Sequence, residues 1–330
     1  MNIPANFDQL RAQTQPSQQQ RDAMVTAHQG LRNALHEDTS LRGHVLTTLI
    51  QGSHRRKTAL RGTSTHPCDV DIIVVTTLSR STASARRGNE LLQPFLSRRY
   101  PSACSQRDRA WRIIVNTEVR LDLVAMARPE SAGVENALAS GSIRDWAPSD
   151  DSWGSLLPGS AGFDWNRADP LWIPDRALNQ WEQTHPLLVL DWTSQKNDRC
   201  NGHFAGVVRA IKWWWRRTQP QPQHLKGYPI EHIVGECCPN SISNPAEGIA
   251  AALETIAARF RDEGAHGRIP HLPARGVPAV NVLRRVEPQE FSNFVRQAAT
   301  AAATARAALN SYTSQESVEL WARLLGDAVR

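Results

Sequence analysis

Three aspartates stand where carboxylates do chemistry rather than cover a surface. Asp69 and Asp71 form a D-x-D pair at the start of the most strand-like run in the chain, Val70 to Thr77 (VDIIVVTT). In a strand, residues i and i+2 share a face, so the two carboxylates stand side by side. Carboxylates that close repel each other unless a cation lies between them. Asp122 sits between Leu121 and Leu123, and an aspartate within an otherwise apolar strand is costly unless it is paired or metal-bound. If its strand lies beside that of Asp71, three hard oxygen ligands converge. That set suits Mg²⁺, for which Mn²⁺ can substitute. Two such ions would serve phosphoryl transfer, one lowering the pKa of an attacking ribose hydroxyl, the other neutralising the α-phosphate and the leaving pyrophosphate. Upstream, Gly52-Ser53 ends another strand. Gly52 would let the backbone approach a triphosphate, and the Ser53 hydroxyl and N–H could donate to its oxygens. Taken singly, these are also a turn, a solvated cap, and an aspartate meeting an arginine such as Arg120. The three together, in order and on suitable elements, are much rarer.

The elements that must position these groups follow from periodicity. Residues 17–35 carry Met24, Val25, Leu31 and Leu35 at helical spacing, after sixteen residues that look loosely ordered. Residues 44–51 read as a strand, and Val70 to Thr77 as a central strand covered on both faces. A helix follows over 86–98, which Pro94 kinks or ends. Strands then cover 111–116 and 118–126. The stretch 148–174, rich in Trp, Pro, Gly and Ser, reads as a long connection. Beyond it, helices are expected over 175–191, 201–218, 230–237, 245–261, 288–309 and 314–329. Strands dominate the first half and helices the second, which predicts an α+β protein of two lobes, 1–150 and 151–330.

Composition narrows the class. The 330 residues carry a formal charge of +6, with 34 arginines and 4 lysines. The balance suits a protein that handles polyphosphates and is too weak to imply a long nucleic-acid groove. No apolar run approaches the roughly 20 residues that span a bilayer. The polar, Gln-rich start lacks the apolar stretch of a signal peptide, so the expected location is the cytoplasm. Five cysteines argue against a disulfide framework. His232, Cys237 and Cys238, with Cys200 and His203, match no standard zinc spacing and are expected to include buried free thiols. Trp213, Trp214 and Trp215 point about 100° apart on a helix and so cannot all face one partner.

The runs Gln51-Gly-Ser-His-Arg-Arg-Lys-Thr-Ala-Leu-Arg61 and Asp69-Val-Asp-Ile-Ile-Val-Val75 resemble the bacterial relatives of cyclic GMP-AMP synthase, the CD-NTases of the DNA polymerase β-like superfamily. The resemblance extends to Leu121-Asp-Leu-Val124, to the helix around Lys212, to Leu225-Lys-Gly-Tyr-Pro-Ile-Glu231 and to Pro278–Val282. It implies a polymerase β-like nucleotidyltransferase lobe, a helical nucleotide-binding lobe and an active site in the cleft between them. It implies a Mg²⁺-dependent synthesis of a cyclic di- or trinucleotide from ATP and GTP, in anti-phage (CBASS-type) signalling. Partners would be the NTP substrates and regulatory or effector proteins of the same defence system. Asp69, Asp71 and Asp122 would hold metal, and Gly52 and Ser53 the donor triphosphate. Lys212 would reach donor phosphates and Tyr228 would stack on a base. Gly227 stands where the family usually has serine, which leaves only a backbone N–H there. Two other readings of the same residues are a nucleotidyltransferase making linear products or modifying RNA, and a non-catalytic nucleotide sensor.

Overall fold

A computed structural model describes residues 3–107, 109–139 and 169–330. Helices α1 (Pro4–Thr14) and α2 (Gln18–Glu37) lead into a five-stranded sheet. Its strands are β1 (Val45–Gln51), β2 (Cys68–Thr76), β3 (Cys104–Gln106), β4 (Trp111–Ile114) and β5 (Val119–Met126), in the spatial order β1-β2-β5-β4-β3. A one-turn helix α3 (Gly52–Arg55) follows β1, α4 (Ala85–Leu91) and α5 (Gln93–Arg99) follow β2, and α6 (Ala132–Ala139) follows β5. Only β2 and β5 pair in parallel. A parallel pair needs a crossover, and the segment holding α4 and α5 supplies it.

The period-2 pattern of β2 separates structure from chemistry. Val70, Ile72 and Val74 are buried with Met24, Leu31, Leu35, Leu92 and Leu96 of the flanking helices. The other face carries Ile73 and Val75, buried with Leu49, Met126, Leu171 and Leu187. Asp69 and Asp71 lie on that second face, where its cover ends and a cleft begins.

The second half opens with an antiparallel hairpin, β6 (Leu171–Asp175) and β7 (Gln180–Thr184). Helices α7 (Pro186–Arg199), α8 (Phe204–Thr218), α9 (Tyr228–Cys237), α10 (Pro245–Arg259) and α11 (Arg261–Ala265) follow. A small ribbon, β8 (Pro273–Ala274) and β9 (Val277–Asn281), precedes α12 (Pro288–Asn310), α13 (Ser314–Leu325) and a closing 3₁₀ turn, Gly326–Val329. No helix among the described residues is long and apolar enough to cross a membrane.

Several elements differ from the sequence reading. The chain start is a helix: Ile3, Phe7 and Leu10 are buried in the core of the helical half, with the Phe7 ring 5.0 Å from that of Trp321. Three apolar residues among Gln and Asn make a thin stripe, but burying each contributes about 1.5–3 kcal/mol. The hydrophobic cores therefore interleave across residue 150, with α1 joining the helical half and Leu171 the sheet. The helix expected over 86–98 is two, with Pro94 in the first turn of the second. The expected helix 175–191 is the hairpin followed by α7, which starts at Pro186, where a missing N–H costs nothing. The connection expected over 148–174 lies outside the described residues up to 168, and its end is strand β6.

Candidate active site

The register of the parallel pair brings the carboxylates together. Asp71 on β2 is the direct neighbour of Asp122 on β5, and Asp69 is the neighbour of Arg120. Arg120 forms an ion pair with Asp69. Arg112, opposite Asp122 on β4, binds both its oxygens, at 2.8 and 2.6 Å. Asp71 lies beside both of these aspartates. Burial, then the charges of Asp69 and Asp122, push its pKa up from the ordinary carboxylate range to about 7. Asp69 and Asp122 each pair with an arginine, and the charge of Arg56 partly offsets the upward push on Asp71.

Gly52, the first residue of α3 after β1, completes this centre. Its φ is +77°, and a Cβ there would lie 1.8 Å from Oδ2 of Asp71. The loop that follows folds back so that the N–H groups of Thr58 and Ala59 donate to the Ser53 carbonyl, at 2.9 and 3.1 Å. Gly52, Ser53 and the three aspartates line one cleft of about 570 Å³. Its other side is the start of α9, with Gly227, Tyr228, Pro229 and Glu231. Trp215 anchors the approach to α9 by donating from its indole N–H to the Leu225 carbonyl at 2.9 Å. The Tyr228 hydroxyl is buried without a hydrogen-bond partner among the described residues, and the Arg56 guanidinium carbon lies 5.3 Å from the centre of its ring. Arg109, Arg284 and Arg285 line the cleft as well, oriented by Asp175 and Glu182.

The donor set fits magnesium. All three side chains offer hard oxygens, and burial together with the charges of Asp69 and Asp122 disfavours an ionised Asp71 that has no cation beside it. Among the described residues no preformed cage of three ligands exists. Mg²⁺ does not require one, because it keeps waters and takes ligands from substrate phosphates.

Residues 1–142 match the family described as the Second Messenger Oligonucleotide or Dinucleotide Synthetase domain. Over 99% of the chain, the sequence is 33% identical to a cyclic AMP-AMP-GMP synthase of Enterobacter hormaechei, covering 91% of that protein. This chain belongs to the CD-NTase family. It is therefore a nucleotidyltransferase, and its relatives are cyclic oligonucleotide synthases. Solved structures show the same fold. Bradyrhizobium diazoefficiens CdnG, in complex with GTP, superposes with a TM-score of 0.71 at 14% identity, over 98% of this chain and 95% of that one. E. coli MS115-1 CdnC with ATP gives 0.67 at 17% identity, over 99% and 98%, and CdnC has also been solved as a complex with a HORMA protein. The α+β, polymerase β-like fold expected from the sequence is thus the one this CD-NTase has.

Of the residues singled out from sequence, the cleft gathers Gly52, Ser53, Asp69, Asp71, Asp122, Gly227 and Tyr228. It does not gather Lys212. That side chain is buried on α8, its Nζ 2.9 Å from both the Thr58 carbonyl and Oε1 of Glu231. Gly227 adopts φ +55° and ψ −120°, and a Cβ there would meet open space. The backbone conformation, rather than crowding, keeps serine out of this position in this CD-NTase. Cys237 and Cys238 are buried in the helical core, where desolvation pushes the Cys237 thiol up to about 12. The sequence reading missed Arg56, Arg109, Glu231, Arg284 and Arg285 as lining residues. Arginine is too common in this chain to stand out, but Glu231 carried a signal: an acid between Ile230 and Ile233 on a short helix.

The environment of Asp71 predicts a pH-dependent stability effect. Its folded pKa, about 7, is above the unfolded value, so its contribution is fully present below about pH 4 and is lost as pH rises to 7. Asp71→Asn should therefore raise the Tm of the metal-free protein, by several degrees at pH 8 and by less at pH 5. Thermal unfolding in EDTA at the two pH values measures it. A lower Tm for the variant at pH 8 would contradict this electrostatic description.

Proposed function

We propose that this CD-NTase joins ATP and GTP, with release of pyrophosphate, into a cyclic trinucleotide of two AMP and one GMP. The reaction is Mg²⁺-dependent, and the product is a second messenger in bacterial anti-phage signalling. The observation that carries the reading is the convergence of Asp69, Asp71 and Asp122 beside Gly52 in one cleft. The base composition rests on the 33% and 32% identity to two proteins described as a synthase and a probable synthase of cyclic AMP-AMP-GMP.

In this reading Asp69, Asp71 and Asp122 hold two magnesium ions, which supply activation of the attacking ribose hydroxyl and neutralisation of the leaving pyrophosphate. The backbone at Gly52 and Ser53 seats the donor triphosphate against Asp71. Arg112 and Arg120 hold Asp122 and Asp69 in place along the sheet face. Tyr228 offers its ring as a stacking platform for a base. The cations Arg109, Arg284 and Arg285 offer charge to a second nucleotide in the same cleft. Regulation by a partner protein is part of the proposal and draws support from the CdnC–HORMA complex. The lobes of the proposal are a sheet lobe built mainly from residues 1–150 and a helical lobe built mainly from 151–330, with α1 packed in the helical core and Leu171 in that of the sheet.

Omission of single nucleotides tests the composition. With Mg²⁺, ATP plus GTP should yield a phosphatase-resistant product labelled from both. ATP alone, GTP alone, or ATP with CTP or UTP should give much less of it. A resistant product made equally well from ATP alone would overturn the mixed composition.

A further inference from the structure

Lys212 is one of only four lysines in the chain, yet it is buried outside the cleft that its family resemblance points it toward. What it touches is Glu231. Lys212 Nζ lies 2.9 Å from Oε1 of that carboxylate, and Arg56 Nε lies 2.9 Å from Oε2. All three side chains are at least nine-tenths buried. Each partner comes from a different element: Lys212 from α8, Glu231 from α9, and Arg56 from the turn that follows Gly52 and Ser53. Arg56 and Glu231 line the cleft.

We infer that Lys212 is a positioning residue that acts through Glu231, and that Arg56 is the cation that meets the donor nucleotide. With Lys212 on Oε1, Arg56 meets Glu231 through Oε2. Among the described residues the guanidinium is held on Glu231 through Nε, beside the Tyr228 ring, at 5.3 Å. Without Lys212, Glu231 could accept from Arg56 with both oxygens, the fork-to-fork geometry that guanidinium and carboxylate favour. Arg56 would then turn away from the nucleotide and toward the protein. Lys212 also fixes the Thr58 carbonyl, so the same ammonium ties the donor loop to the helical half. This inference rests on the nucleotide-binding reading of the cleft.

A double-mutant cycle tests it. The probe is α,β-methylene ATP with Mg²⁺, which binds as a donor but cannot release pyrophosphate. Affinity is measured by calorimetry on the full-length wild type, Lys212→Met, Glu231→Gln and the double variant, with circular dichroism as a check on folding. Lys212→Met should weaken binding by about tenfold in the wild-type background and by less than about twofold in the Glu231→Gln background. Lys212→Arg, which keeps a cation on Glu231, should restore affinity to within about twofold of wild type. An equal loss from Lys212→Met in both backgrounds would overturn the inference, because a direct phosphate contact does not depend on Glu231. If Lys212→Met does not fold, Arg56→Ala decides, and unchanged affinity in that variant overturns the inference too. A wild-type protein that fails to bind the probe would instead defeat the nucleotide-binding reading itself.

Discussion

Replacing Asp71 by asparagine should lower nucleotide turnover by at least about 10³-fold while the protein stays folded. Asn keeps the shape of the side chain and removes the charge, so the loss isolates the electrostatic role. Asp71 is the aspartate for which this substitution is cleanest. Asp69 and Asp122 are each ion-paired, with Arg120 and Arg112, so Asn at either position also strands a half-buried guanidinium. At Asp71 the change instead relieves the burial of a charge and its repulsion by Asp69 and Asp122. Activity and stability should therefore move in opposite directions at Asp71, and both should fall at Asp122. Initial rates of pyrophosphate release, read beside Tm, separate the two patterns. Near-normal turnover in Asp71→Asn would refute the mechanism.

The second large effect is expected at Gly52. Alanine there places a methyl group 1.8 Å from Oδ2 and 2.7 Å from Cγ of Asp71. Asp71 has one short, stiff side chain and cannot yield except by leaving its position. A displacement of about 1 Å at a reacting centre costs about 10²-fold, so Gly52→Ala should lose at least that much in kcat. The φ of +77° adds strain of about 1–2 kcal/mol. Gly43 separates the two causes. Its φ is +78°, but a Cβ there meets nothing within 4 Å. Gly43→Ala should therefore cost similar stability and leave kcat unchanged. Equal kinetic losses in both variants would show that backbone strain, and not the Asp71 contact, is the cause.

How legible this was in the sequence differs from residue to residue. The aspartates were legible because a strand has a period of exact alternation: Val70 and Ile72 had to point one way, and Asp69 and Asp71 the other. Gly52 was legible as a turn, but its constraint was not. The carboxylate that forbids a Cβ comes from the neighbouring strand, and only the β1–β2 register places it there. The hairpin of β6 and β7 was hidden for a related reason. The fully buried Asp175 ends β6 and is met there by Arg109 and Arg285 from distant parts of the chain. Lys212 could have been read better. It lies among Val208, Ile211 and Trp215, all buried, and this spacing marks the inward face of α8. A lysine on that face needs an anion from its own protein, and Glu231 supplies it.

In the proposed reaction Asp69, Asp71 and Asp122, on one sheet face, serve to close a ring of nucleotides. The most direct measurement of it is the mass and phosphatase sensitivity of the product made from α-labelled ATP and GTP with Mg²⁺, run beside Asp71→Asn. Expected are a phosphatase-resistant product with the mass of a cyclic oligonucleotide, pyrophosphate released in equal number to the bonds formed, and neither from the variant. Linear chains bearing a 5′-triphosphate, or the same product from Asp71→Asn, would contradict it.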